Sequence, residues 1–169
     1  TKKQMRWGMI YRSAEIDSLE CSSRRELKNL GIRTLIDLRA SSEIGRQSPL
    51  QKGFNVVHIP LATGDMEGIL KGIREEKIKS DTVYRMVERM NRILIDQYTK
   101  EYRQIFDILL DKNSYPVVIH CSSGKGRTGI VSALVLAALG INEDIIMEDY
   151  RLSNDYFNIP SASKYAYQL

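Results

Sequence analysis

Three short β-branched, apolar runs punctuate this chain, and longer amphipathic stretches separate them. Residues 32–38 (Ile-Arg-Thr-Leu-Ile-Asp-Leu), 54–61 (Phe-Asn-Val-Val-His-Ile-Pro-Leu) and 115–120 (Tyr-Pro-Val-Val-Ile-His) predict buried strands, the second closed by Pro60. Ahead of the first, Ser23-x-x-Glu26 reads as a capping box, and Leu27 and Leu30 give a short helix an apolar side until Gly31 stops it. From Ser80 onward Val83, Val87, Met90, Leu94, Tyr98, Tyr102, Ile105 and Leu109 recur at spacings of three and four, a core-facing stripe on one helix or on two consecutive helices. Residues 128–139 predict an apolar helix ended by Gly140, and Asn142 caps a last helix running to about Ser153. Strands separated by helices in a chain of 169 residues predict one α/β domain over residues 1–169, with a small, mostly parallel central sheet flanked by helices. Ligands of such sheets sit beyond the carboxyl ends of strands, which directs attention to the turn after His120.

Composition narrows the function classes. With 43% hydrophobic and 27% charged residues, and no apolar run near the roughly 18 residues of a membrane span, the chain reads as soluble and globular. Lys+Arg exceeds Asp+Glu by 25 to 21, and the net charge of +4 favours anionic partners, an anionic membrane surface among them. Nucleic acid is not indicated, because no basic stripe is interleaved with aromatic platforms and Trp7 stands alone. Cys21 and Cys121 lie a hundred positions apart with no Cys-x-x-Cys and no histidine cluster, so neither a metal site nor a disulfide framework is expected. Cys21 stands just before a capped helix, where packing or exposure accounts for it; a disulfide to Cys121 is the other option. The opening Thr-Lys-Lys-Gln-Met-Arg-Trp holds no apolar signal region, which fits a cytoplasmic protein or one exported and trimmed.

The turn His120-Cys121-Ser122-Ser123-Gly124-Lys125-Gly126-Arg127-Thr128-Gly129 invites three phosphate-related readings. A Walker loop needs Ser or Thr directly after Gly-Lys, and Gly126 stands there. Gly124-x-Gly126-x-x-Gly129 spells a dinucleotide fingerprint, but the second strand ending in an acid is missing, since the region around Asp149 is helical. Cys-x5-Arg fits one mechanism throughout. Unpaired N–H groups and the positive dipole end of a helix favour a thiolate and a phosphate alike, which makes Cys121 an ionised nucleophile. The N–H groups of Ser122, Ser123, Gly124, Lys125 and Gly126 can wrap a phosphate, and the two glycines permit backbone geometry and close approach. Arg127 can grip two phosphate oxygens at once and stabilise the transferring group. The Thr128 hydroxyl is placed to stabilise the sulfur as it leaves, and His120 to orient the loop through hydrogen bonds. Cys-x5-Arg alone arises by chance in roughly one such chain in ten, whereas the full pattern with its strand-to-helix context arises in roughly one in ten thousand.

At these residues the chain resembles the cysteine-based protein tyrosine phosphatase superfamily, whose signature is His-Cys-x5-Arg followed by Ser or Thr. Tyr11-Arg12-Ser13, the stretch from Gly31 to Arg39 with Glu43, and Asp149-Tyr150-Arg151-Leu152-Ser153-Asn154 are similar to its bacterial branch, which acts on phosphotyrosine and on phosphoinositides. The resemblance covers about residues 8 to 155 and implies the superfamily's α/β fold, a cysteinyl-phosphate intermediate and no metal or other cofactor. It also implies a general acid. Asp65, a few residues after the second strand and next to Gly64, resembles the acid of a mobile loop. Asp37, at the end of the first strand, is the rival; beside Arg39 and Glu43, however, it fits a structural ion-pair network or the orientation of Lys125 better. Lys125 itself resembles the added lysine of phosphoinositide 3-phosphatase loops, which holds a multiply charged head group.

Two departures qualify the resemblance. Many members of the branch have Asp where Gly126 stands, and members carry a further segment upstream of Tyr-Arg-Ser, as if this chain were trimmed. The expectation is a phosphatase for phosphotyrosine proteins, phosphoinositides or both. The alternatives are a phosphate-binding module without a working acid, on the same fold, and a thiol-based sulfur transferase with a related loop.

Overall fold

The computed structural model describes residues 5–16, 21–44, 53–62, 75 and 80–156, with the backbone alone for 21–24 and 80. Strands β1 (Ile10–Ser13), β2 (Thr34–Asp37), β3 (Asn55–His58) and β4 (Val117–His120) form a parallel sheet in the order β1-β4-β2-β3. The two inner strands, β4 and β2, are buried at every residue, as expected where both faces of a parallel sheet are covered. The expected strands at 32–38, 54–61 and 115–120 are all present, each trimmed at its ends. Strand β1 is the one the pattern misses, because Ile10-Tyr11-Arg12-Ser13 is half-buried and carries a charge in its middle.

Side chains alternate across the sheet with a period of two. One register row, Tyr11, Val118, Leu35 and Val56, packs into a core with Ile16, Leu27 and Ile32. The next row places Ile119, Ile36 and Val57 in the opposite core, with Leu94, Ile105 and Val131. Each fully buried aliphatic side chain contributes about 1.5–3 kcal/mol, so these rows fix the strand register.

Helix α1 (Cys21–Asn29) begins before Ser23, so Ser23 lies inside the helix and does not cap it. It ends as expected: Gly31 N–H donates to the Lys28 carbonyl and Ile32 N–H to the Leu27 carbonyl, the Schellman closure. The long amphipathic stripe divides at Tyr98 into α2 (Ser80–Gln97) and α3 (Thr99–Leu110). Leu94 and Ile105 are buried and Tyr98, Tyr102 and Leu109 pack against them, whereas Val87 faces outward. Helix α4 (Gly126–Ala138) starts two residues earlier than expected, and Gly140 stops it by the same closure as Gly31. Helix α5 (Glu143–Asp155) is capped by Asn142, whose side-chain oxygen accepts from Asp144 N–H at 2.7 Å. Among the described residues no helix is long and apolar enough to cross a membrane.

Candidate active site

The carboxyl ends of the strands fall in one register row, Ser13, His120, Asp37 and His58. Parallel pairing sends all of them to one edge, and the chain leaving β4 there turns once before α4. Cys121 opens that turn. Its side chain is 1% exposed within the core that includes Leu61, Ile119 and Val131. The Cys121 thiol is free.

The turn itself is held closed by glycine chemistry at one position. Gly124 has φ +68°, and a Cβ there would lie 2.7 Å from Ala14 N and 2.8 Å from the Ser13 carbonyl oxygen, so no side chain fits. Gly126 is different: its φ is not in that region and a Cβ would meet nothing within 4 Å. The protein's own packing therefore does not demand glycine where many members of the superfamily branch carry Asp. Ser122 and Lys125 are half-buried and Ser123 is exposed. Helix α4 then begins with Lys125 at its N-cap and no side-chain capping bond, which leaves its first N–H groups for a ligand. Thr128 is fully buried, and its hydroxyl has no hydrogen-bond partner among the described residues.

Arg127, 8% exposed, turns back from the first turn of α4 toward the strand ends. Its Nη2 donates to Glu43 Oε1 at 2.7 Å and to Ser122 Oγ at 3.3 Å. Its Nη1 donates to Glu43 Oε2, with weaker contacts of 3.4 Å to the Leu38 and Leu61 carbonyls. Burial alone would lower the Arg127 pKa, but hydrogen bonding to Glu43 and the proximity of Cys121 raise it, so the cation is fixed. Glu43 sits in a short 3-10 turn, Ser41–Glu43, and also accepts from Ser122 Oγ and from Ala40 N–H.

Asp37 enters an ion pair with Arg39, as expected, whereas Glu43 pairs with Arg127. Asp37 is 4% exposed, and both its oxygens accept from Arg39, which is itself buried and paired at 3.3 Å with Glu15. Burial would raise the Asp37 pKa; the Arg39 hydrogen bonds outweigh it and lower the value, keeping the carboxylate charged. Buried His120 places Nδ1 4.0 Å from Asp37 Oδ1. Asp65 and Gly64 lie outside the described residues. The chain before them is anchored: Leu61 is buried, its N–H donates to the Leu38 carbonyl, and Tyr98 Oη donates to the Ala62 carbonyl at 2.7 Å. Sequence reasoning missed the pairing of Glu43 with Arg127 and the roles of Arg12 and Glu15. No local signal marks them, since these partners arrive from separate elements.

Glu43 carries a pH signature. Burial would raise its pKa, but hydrogen bonds from Arg127 and Ser122 lower it from 4.5 to about 2. A carboxyl with a depressed folded pKa contributes stability that is complete above the unfolded value and lost as pH falls through the folded one. The gap in melting temperature between wild type and Glu43→Gln is therefore expected to be widest above pH 4.5 and to close between 4.5 and about 2. A gap that stays constant across that range would show that the Glu43 charge does not hold Arg127.

Known proteins are similar to this chain in sequence. Triple specificity protein phosphatase PtpB of Mycobacterium tuberculosis is 32% identical over 92% of this chain and 64% of its own length. Inositol diphosphatase DSP2 of Arabidopsis thaliana is 27% identical over 71% of this chain and 49% of its own. The chain thus spans about half to two thirds of these relatives. A crystal structure of P. aeruginosa TpbA, 16% identical, aligns with a TM-score of 0.49 over 96% of this chain and 81% of that one. The sequence model of the tyrosine phosphatase family matches residues 1–168, nearly the whole length on which the fold and the Cys121–Arg127 turn are built, and the chain belongs to that family.

Proposed function

We propose that this chain is a phosphomonoesterase that works through a cysteinyl-phosphate intermediate. The observation that carries the reading is the meeting of a buried, free Cys121 and a buried Arg127 cation at the uncapped N-terminus of α4. In the first step Cys121 Sγ attacks phosphorus, the P–O ester bond breaks, and an acid protonates the departing oxygen. In the second, water attacks phosphorus, the S–P bond breaks, and the same group, now a base, takes the water's proton. Arg127 and the loop N–H groups hold the phosphoryl oxygens through both steps. The unpartnered Thr128 hydroxyl donates to the sulfur as it leaves in the second. The thiol and the cation supply the chemistry, so the scheme calls on no cofactor.

Asp65 is the acid in this scheme. Its support is its place in the sequence, three residues past Ala62, where the chain has just passed the Leu61 carbonyl that contacts Arg127. Asp37, committed to Arg39 and held charged, serves as a structural partner beneath the loop. Phosphotyrosine and phosphoinositides are the substrates in this reading; the tyrosine phosphatase family model supports the first, and the plant inositol diphosphatase supports a phosphorylated inositol group in the second. The half-buried Lys125 and the net charge of +4 favour the more highly charged head groups and anionic surfaces that bear them.

The test is phosphate release from a phosphotyrosine peptide, a phosphoinositide and an activated aryl phosphate, by wild type and by Asp65→Asn. A tyrosine leaving group, with a pKa near 10, needs a proton that a more acidic phenol can do without. Asp65→Asn is expected to slow phosphotyrosine hydrolysis by roughly 10²–10⁴, and the activated ester far less. The same selectivity in Asp37→Asn, with Asp65→Asn unaffected, would transfer the role. No release from any substrate by wild type would leave a phosphate-binding module.

A further inference from the structure

In a trans peptide the C=O and the following N–H lie in one plane and point in opposite directions. A carbonyl gripped from outside therefore aims the next N–H away from the grip. Alternate carbonyls of the turn are gripped in this way. The His120 carbonyl accepts from Leu38 N–H at 2.9 Å, the Ser122 carbonyl from Glu15 N–H at 3.1 Å, and the Gly124 carbonyl from Arg12 Nη2 at 3.1 Å. The amides so aimed belong to Cys121, Ser123 and Lys125. Two of these anchors are backbone groups. The third is a side chain, and the sequence chose it.

Arg12 breaks the pattern of its own sheet. It shares a register row with Ile119, Ile36 and Val57, residues of one apolar core, yet places a guanidinium there with a side chain 21% exposed. Nη1 donates to the Asp149 carboxylate at 2.7 Å and to the Asp149 carbonyl at 2.9 Å, which orients the fork; Nη2 then meets Gly124. Two glycines make room for this clamp. A Cβ on Gly124 would strike the Ser13–Ala14 backbone, and one on Gly129 would lie 3.3 Å from Arg12 Nη2 and 2.6 Å from the Tyr150 ring.

We propose that Arg12 is a positioning residue: oriented by Asp149, it holds the Gly124–Lys125 peptide plane so that the Lys125 N–H faces the bound phosphoryl group, and keeps the loop in its binding form before the anion arrives. The proposal rests on residues 121–127 being the phosphate seat.

Arg12→Lys retains a cation opposite Asp149 but loses the fork that serves two acceptors. Asp149→Asn weakens the ion pair and leaves the reach of Arg12 to Gly124. Affinity for inorganic phosphate is measured by calorimetry in the Cys121→Ser background, kcat on an aryl phosphate in the active chain, and melting temperature in both. Arg12→Lys is expected to lower phosphate affinity and kcat by about tenfold, less than the 10²–10³ that outright loss of an oxyanion donor costs. Asp149→Asn, in which the side-chain oxygen and the main-chain carbonyl still accept from Nη1 and orient the fork, is expected to lower the melting temperature as much as Arg12→Lys does while hardly changing affinity or kcat. Should the lysine variant not fold, Arg12→Gln, which can still donate to one carbonyl, takes its place. Wild-type phosphate affinity in the Arg12 variant, or equal losses in both variants, would overturn the proposal, as would a wild-type chain that binds no phosphate. A chain that binds phosphate but releases none from esters would remove the phosphatase reading and leave the comparison of affinities to decide for Arg12.

Discussion

Replacing Cys121 with serine is expected to reduce phosphate release by about 10⁴–10⁶-fold, the scale on which loss of a nucleophile acts, while phosphate binding survives. The two outcomes separate because they depend on different atoms. Attack on phosphorus needs a polarisable sulfur, and a serine hydroxyl is a far weaker nucleophile in its stead. Binding needs Arg127 and the N–H groups of the turn, which the substitution leaves in position. The variant should fold, since the substitution is nearly isosteric and leaves the Arg127–Glu43 pair in place. Single-turnover release from an aryl phosphate and calorimetric titration with phosphate read the two effects apart. Serine turnover near the wild-type rate would rule out the covalent route, and loss of phosphate binding would place the anion somewhere other than the turn.

The elements most legible in the sequence are those where local signals agree with burial. Val117-Val118-Ile119 and Leu35-Ile36 read as buried strands because both sheet faces above them are covered, and Gly31 and Gly140 read as helix stops because both close the same hydrogen-bonded motif. Strand β1 was illegible for a physical reason. An edge strand needs little apolar character, and Arg12 takes up a core-facing position that a pattern search counts as polar. Ser23 misled because a capping box is a local motif and α1 starts upstream of it, at Cys21.

The site divides along the same line. His120-Cys121 to Thr128 is contiguous, and its strand-to-helix context was readable, so the turn could be located from sequence. Partners that arrive from other elements could not. Glu43 lies 84 positions from Arg127, and nothing in Ser41-Ser42-Glu43 specifies that its carboxylate lands on the guanidinium and not on Arg39. Glu15 reaches Arg39 and the Ser122 carbonyl only because β1 lies beside β4, which is topology and not composition. Likewise Gly124 and Gly126 look alike as letters, yet one is sterically obligatory and the other faces open space.

Arg127→Lys is expected to slow hydrolysis of every substrate by about 10³–10⁵, the range attributed to an arginine that stabilises a transferring phosphoryl group. The geometry explains why charge alone is not enough. Both Nη atoms are held against Glu43, with Ser122 and the Leu38 and Leu61 carbonyls around them, so the plane of the guanidinium is set before substrate enters. A lysine ammonium can pair with Glu43 and so keep the fold, but as a point donor it cannot face Glu43 on one side and two phosphoryl oxygens on the other. The loss should therefore appear in kcat with the melting temperature largely kept, and equally for a phosphotyrosine peptide, a phosphoinositide and an aryl phosphate. Lys125→Ala supplies the contrast. That side chain leaves the half-buried edge of the turn, where a point charge serves extra phosphates, so phosphoinositide hydrolysis should fall more than aryl phosphate hydrolysis. A wild-type rate in Arg127→Lys would mean that charge, and not the bidentate grip, stabilises the transition state; equal losses in Lys125→Ala would remove the support for phosphoinositide preference.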